Sequence, residues 1–212
     1  MLAALARLFL DAVAPRRCAG CDAVSDEPIC PHCTVAMAAM PVPSVRRMRL
    51  GTAYAGFAFD EPVRTALHRG KYGGDREVLE DLAAMTATRL DGPRLFSPDA
   101  VVAVPLGVRR RRQRGYNQSD VLAHVIASTR GVPVLDQLGR IRDTPPQSAR
   151  DEATRRSNVA GAFAWSGGQL DGAYLWLVDD VLTTGATAEA AASVLGRAGA
   201  SLIDVVVVAV VP

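Results

Sequence analysis

The chain has 212 residues, 49% of them hydrophobic and 22% charged, with a formal net charge of +2. That length suits one ordinary domain with a small appendage, and the hydrophobic share supports a sizeable core. The charge is too mild to argue nucleic-acid binding by itself, and no apolar run is long enough to span a membrane. At the start, Leu2, Leu5, Leu8, Phe9 and Val13 fall near one helical face. They predict a short amphipathic helix that docks on the rest of the chain. Ala12-Val13-Ala14 mimics a signal-peptidase site, but the segment lacks a basic start, and Arg7 and Asp11 interrupt it. A cytoplasmic protein is therefore expected.

All four cysteines lie together, as Cys18-Ala-Gly-Cys21 and Cys30-Pro-His-Cys33. Two CxxC pairs at this spacing can bring four thiolates around a tetrahedral zinc ion. Gly20, Pro28 and Pro31 supply the tight turns that such knuckles need. Two disulfides would suit a secreted chain, and a redox CxxC would need only one pair. Structural zinc held by Cys18, Cys21, Cys30 and Cys33 is the expectation, with His32 a bystander and no coordination position left open for water. Residues 34–49 carry Pro41, Pro43, Arg46, Arg47 and Arg49 and read as a linker with a basic surface end. Residues 1–50 are thus expected to form a helix, zinc module and linker, and residues 51–212 the main domain.

Residues 51–59 alternate aromatic and small side chains and read as a strand. A helix starting at Glu61-Pro62 leads to Lys71-Tyr72-Gly73-Gly74-Asp75, and a second runs from about Arg76 to Leu90. Lys71 is the only lysine in the chain. The residues leave two readings of it: a mobile basic loop reaching a polyphosphate, or a solvent-exposed turn. Residues 100–105 (AVVAVP) form a fully apolar strand that ends in a small loop, and a burst of five arginines follows between Arg109 and Arg114. Guanidiniums at the end of a buried strand suit a docked anion, because arginine contacts phosphate with two donors at once. Asn117 to Ser119 read as the cap of a helix over residues 120–128. Residues 132–135 and 162–165 read as short strands, and residues 203–211 as a buried parallel strand.

The central stretch is LWLVDDVLTTGATAEAAAS, residues 175–193. An apolar strand over 174–178 meets two carboxylates, Asp179 and Asp180, then a small-residue turn and an alanine-rich helix over 188–195. A strand feeding a tight turn and a helix start aims several N–H groups at one point, which suits a phosphate. Gly185 permits close backbone approach. Paired carboxylates would repel that phosphate unless they grip hydroxyls or act through a metal, and a ribose 5-phosphate with free hydroxyls meets the description. An ordinary strand-turn-helix with an acidic cap is the plain alternative.

This stretch resembles the phosphoribosyl pyrophosphate (PRPP) motif of type I phosphoribosyltransferases. The resemblance implies that Asp179 and Asp180 hold the ribose hydroxyls, as the catalytic pair. It implies that Thr183, Thr184, Gly185, Ala186 and Thr187 cradle the 5-phosphate. It implies too that Leu106, Gly107, Val108 and Arg109 take the pyrophosphate, and Lys71, on the reading that its loop reaches a polyphosphate, would join them. The order CxxC…CxxC, KYGGD, VPLGVRRRRQRGYNQS, TPPQSARDEATRRSNVAGAF and VDDVLTTGAT is similar to the ComF family. These are competence-associated proteins with a zinc-finger head on a phosphoribosyltransferase-like body. The likeness runs from about Cys18 to Pro212. It implies an α/β fold of type I phosphoribosyltransferase type, a mostly parallel sheet with helices on both faces, plus a small N-terminal zinc-ribbon module. Residues 139–158 lie where such enzymes carry a flexible loop that closes over PRPP and excludes water, so Gln147, Arg150, Arg155 and Arg156 are expected in a lid. An enzyme of this kind would let a nitrogen nucleophile attack C1 of PRPP as magnesium pyrophosphate leaves. Thr183 stands where some purine enzymes carry a further aspartate, so a side-chain base from this loop is not expected. Three functions follow as expectations: a phosphoribosyltransferase, a non-catalytic PRPP sensor, or an accessory that handles single-stranded DNA through the zinc module and arginine run, with competence-machinery proteins as partners.

Overall fold

The apolar runs anticipated as strands assemble around one sheet in the computed structural model, which describes residues 15–91, 95–142 and 161–211. In chain order the elements are α1 (Pro31–Ala39), β1 (Arg46–Met48), β2 (Gly51–Ala58), α2 (Val63–Tyr72), α3 (Arg76–Arg89), β3 (Ala100–Ala103), α4 (Val108–Arg114) and α5 (Gln118–Arg130). They continue with β4 (Val134–Leu135), β5 (Leu138–Arg140), β6 (Phe163–Trp165), β7 (Tyr174–Leu182), α6 (Ala186–Arg197) and β8 (Leu202–Val210). Six strands lie in the order β1-β2-β8-β7-β3-β4. Every pairing is parallel except β1 with β2. The central strand β8, LIDVVVVAV, is apolar along nearly its whole length because it is covered on both faces. One core joins α2, α3 and α5 to the first face of the sheet, and a second joins α6 and the antiparallel pair β5–β6 to the other.

This is the α/β, mostly parallel architecture that the sequence implied, and four local readings are revised. Residues 34–49 are not a plain linker, because they contain most of α1 and the edge strand β1. Pro31 begins α1, where a missing N–H is no loss. The arginine burst is helical: it forms α4, which ends at Gly115 in the left-handed conformation (φ +80°). The segment expected to begin a lid at Gly139 first forms β5, which pairs with β6 and brings residues 141 and 162 together through an Ile141 N–H to Ala162 O bond of 2.8 Å. The strand expected to stop at residue 178 carries on through both aspartates to Leu182, with Asp179 opposite Val207 of β8. Gln147, Arg150, Arg155 and Arg156, and the anticipated helix at the N-terminus, lie outside the described residues.

The cysteine module shares its core with the main sheet. Cys18, Ala19, Ile29, Cys30, Cys33 and Met37 are buried in the same cluster as Phe57, Leu67, Leu79 and Leu82. Arg89 fastens the two parts. Its Nε donates to Gly56 O at 2.7 Å, and its Nη groups donate to the carbonyls of Met37, Ala38 and Met40 at 3.1, 2.8 and 2.5 Å. Met37 O also accepts the Met40 N–H at 3.1 Å, and the guanidinium serves the remaining carbonyls at the end of α1, so one group satisfies a helix end and a strand edge together. The same group stacks 4.7 Å over the Phe57 ring.

Candidate functional site

The loops after β3 and β7 emerge side by side at the carboxyl end of the sheet. Ala103 pairs with Val178, and the Val104 N–H reaches Val178 O at 2.9 Å. This is where open α/β sheets bind ligands. Leu106 and Gly107 leave β3, and Val108 and Arg109 open α4 with both side chains exposed. On the neighbouring strand the loop of residues 183–187 turns on Gly185, whose φ of +82° favours glycine. A Cβ there would also crowd the Met48 methyl at 3.3 Å. Ala186 begins α6, and its N–H bonds Thr184 Oγ1 at 3.4 Å.

The two aspartates meet three residues of distant origin. Lys71, from the last turn of α2, places its ammonium 3.1 Å from Asp180 Oδ1, and the two side chains are 17% and 10% exposed. Gln118 Nε2 donates to the other oxygen of Asp180 at 2.7 Å. Ser119 Oγ donates to Asp179 Oδ1 at 2.9 Å, and that oxygen also accepts the Asp180 N–H at 2.9 Å. Burial, with the Asp180 charge beside it, pushes the Asp179 carboxyl up to about 7; the Ser119 and backbone hydrogen bonds and the Lys71 charge hold it back. The site therefore carries a carboxylate contacted on each oxygen, by an ammonium and by an amide, beside a second carboxyl poised near neutrality.

Outer contacts hold these groups in place. Arg114 donates to Gln118 Oε1 at 2.8 Å and to the Tyr72 hydroxyl at 3.0 Å, while its guanidinium stacks 4.7 Å from the Tyr72 ring centroid. That leaves the Gln118 amide only one orientation, with its NH₂ toward Asp180. Tyr116 donates its hydroxyl to Gly70 O, next to Lys71. Asn117 stands at the N-cap position of α5 but does not cap with its side chain. Its Nδ2 reaches Val104 O at 3.1 Å and Asp120 Oδ1 at 2.8 Å, and its buried Oδ1 has no hydrogen-bond partner among the described residues. On the far side of the loop, Arg46 donates to Thr183 O at 2.9 Å and Thr184 O at 3.1 Å.

Sequence reasoning thus brought Lys71, Asp179 and Asp180 into view without joining them, and it missed Gln118, Ser119, Arg114 and Arg46. For Arg114, Gln118 and Ser119 the signal lies in RGYNQS, whose residue types suggest a helix cap and a family likeness but not a partner for the aspartates. Lys71 is neither in a mobile loop nor on a solvent-exposed turn: it is helical and paired.

The cysteine cluster is a second centre. The four sulfurs lie within 4.8 Å of one another, and Cys21 Sγ is 3.7 Å from Cys30 Sγ. Sulfurs at tetrahedral corners about 2.3 Å from a metal stand about 3.8 Å apart. The Gly20 and Cys30 N–H groups each point at Cys18 Sγ at 3.3 Å. Burial works against a thiolate at Cys18, but backbone donors from Cys30, Cys21 and Gly20 outweigh it and bring the thiol down to about 6. The four cysteines can hold a metal ion such as zinc, and His32, exposed on α1, is not one of the group.

The chain is 30% identical over 188 residues to DNA utilization protein YhgH of Salmonella typhimurium, covering 84% of this chain and 82% of that protein. The chain belongs to the ComF family. It is also 32% identical to competence protein F of Haemophilus influenzae, over 68% of this chain and 66% of that protein. With competence protein ComFC of Bacillus subtilis it shares 28% identity, over 68% of this chain and 57% of that one. No protein-family model matches the chain. Among solved structures, the chain is similar to glutamine PRPP amidotransferase from B. subtilis at 22% identity and a TM-score of 0.42, over 61% of this chain and 25% of that one. It is similar to adenine phosphoribosyltransferase from Trypanosoma brucei at 14% identity and a TM-score of 0.43, over 79% of this chain and 74% of that one. Among the described residues no helix is long and apolar enough to cross a membrane.

Proposed function

We propose that this ComF protein binds PRPP at the carboxyl end of β7 and serves the use or uptake of DNA. The single observation that carries the reading is the union, at the carboxyl end of β7, of paired carboxylates with the glycine-hinged threonine loop that follows them. Asp179 and Asp180 would grip the ribose hydroxyls, and the N–H groups and hydroxyls of residues 183–187 would receive the 5-phosphate. The loop of residues 106–109 would take the pyrophosphate. Magnesium would arrive with the ligand, held largely by its phosphate oxygens. Lys71 and Gln118 each contact one oxygen of Asp180, so the ribose hydroxyls would either take the remaining lone pairs or displace one of the two. Lys71 released in this way would be free to meet the pyrophosphate. The relatives' names, DNA utilization protein and competence protein, support the biological setting.

Calorimetric titration of the zinc-loaded chain with PRPP and magnesium tests the reading, beside Asp180→Asn and Thr184→Ala variants. Saturable binding that both substitutions weaken is expected. Absence of binding by the well-folded chain would refute it and move a DNA-handling role, through the cysteine module and α4, to the front. Pyrophosphate release on adding a base would then separate a transferase from a sensor.

A further inference from the structure

A groove of about 830 Å³ runs between the β1 strap and helix α6 and reaches Thr184 and Ala186 of the loop after β7. One wall is the stretch whose sequence suggests the basic end of a linker. Arg46, Arg47 and Arg49 from the strap face Arg197 from the last turn of α6. Between them lies an apolar floor of Met48, Leu50, Ala190 and Val194. Neither Asp179 nor Asp180 lines it.

The charges are uneven. One carboxylate, Glu189, lines the groove, and its Oε1 is engaged by the Arg49 backbone N–H at 3.0 Å. Arg46 is held by the two loop carbonyls and Arg197 by Ser193 Oγ at 2.8 Å. All three are neutral acceptors, so among the described residues lining the groove Glu189 is the one negative charge against four guanidiniums. The Arg47 and Arg49 guanidiniums make no ion pair or hydrogen bond among the described residues. Four arginines around a concave apolar floor concentrate positive potential where a planar group can also be buried.

We infer that this groove is a second ligand site, for a nucleoside phosphate. The base would lie on the apolar floor, and the phosphates would be taken by the arginines, whose forked donors match phosphate oxygens. The volume falls within the range of about 300–1,000 Å³ usual for small-molecule sites, which favours a single nucleotide over an extended polymer. The inference does not depend on PRPP binding at the aspartates, although the groove shares Thr184 and Ala186 with the loop given to the 5-phosphate.

Titration calorimetry of the full-length, zinc-loaded chain with ADP, without magnesium and at fixed ionic strength, tests it. One saturable site per chain is expected. Arg47→Ala and Arg197→Ala, both exposed positions, should each weaken it about tenfold, as the loss of a charge-assisted contact does. Asp180→Asn should leave it unchanged. The inference is overturned if the folded chain does not bind ADP, or if Asp180→Asn abolishes binding that Arg47→Ala leaves intact. It is overturned equally if tripolyphosphate binds as tightly as ADP, or if a single-stranded oligodeoxynucleotide occupies the groove and ADP fails to displace it.

Discussion

Replacing Lys71 by methionine removes an ammonium while keeping most of the side-chain volume. The ion pair it breaks is 3.1 Å long, between side chains only 17% and 10% exposed. Two unit charges at that separation attract by about 5 kcal/mol at an effective dielectric of about 20. Desolvation offsets part of this, and removing one partner of a buried pair costs about 3–5 kcal/mol. Gln118 still donates to the second Asp180 oxygen at 2.7 Å, so the lower end, about 3 kcal/mol, is expected at pH 8. At pH 5 the loss should be smaller. Burial holds the Asp179 carboxyl up to about 7, so at pH 5 it is protonated and a single negative charge is left in the pocket. Urea unfolding at both pH values, in a double-mutant cycle with Asp180→Asn, measures the coupling directly. A coupling of at least about 1.5 kcal/mol is expected at pH 8. A coupling below about 0.5 kcal/mol, or a loss no smaller at pH 5, would refute the reasoning.

Three further outcomes follow from the same structure. Asp179 titrates higher in the folded chain than the usual value of about 3.9, so its contribution to stability is fully present below about pH 4 and is lost as pH rises through about 7; Asp179→Asn should remove that decline, melting above the parent at pH 8 and not at pH 4. Stripping the metal with a strong chelator should loosen α1 and lower the melting temperature of the whole chain, because Cys18, Cys30, Cys33 and Met37 share a core with Phe57 and Leu67; metal analysis should return one ion per chain, and a melt unchanged by chelation would contradict this. Arg89→Ala takes the side-chain donor from the carbonyls of Gly56, Ala38 and Met40, while Met37 O keeps the Met40 N–H, and should cost about 3 kcal/mol in chemical denaturation.

Local chemistry made much of the site legible. The four cysteines declare themselves by spacing, and the carboxylates of the central stretch by their place at the end of an apolar run. Gly185 is needed where a turn demands positive φ, and the turn's residue types show it. Gln118 and Ser119 were not legible as aspartate partners. Residues that open a helix have a local job as caps, and that local reading hid the contact to a strand about sixty residues on. Arg46 was hidden in the same way: a basic, proline-bearing stretch looks like linker until an edge strand pairs it with β2.

The sequence by itself determined the parallel sheet, because strands covered on both faces must be apolar throughout, and it determined where the glycine turn after β7 falls. It determined too that four thiols gather, since two CxxC knuckles leave them nowhere else to go. Tertiary structure alone decided which charges meet. The only lysine pairs with Asp180 because α2 ends above the carboxyl end of β7, and Arg114 fixes the Gln118 amide because α4 folds back toward Tyr72. An ion pair between residues more than a hundred positions apart depends on how elements pack, and packing is a property of the assembled layers rather than of any one stretch.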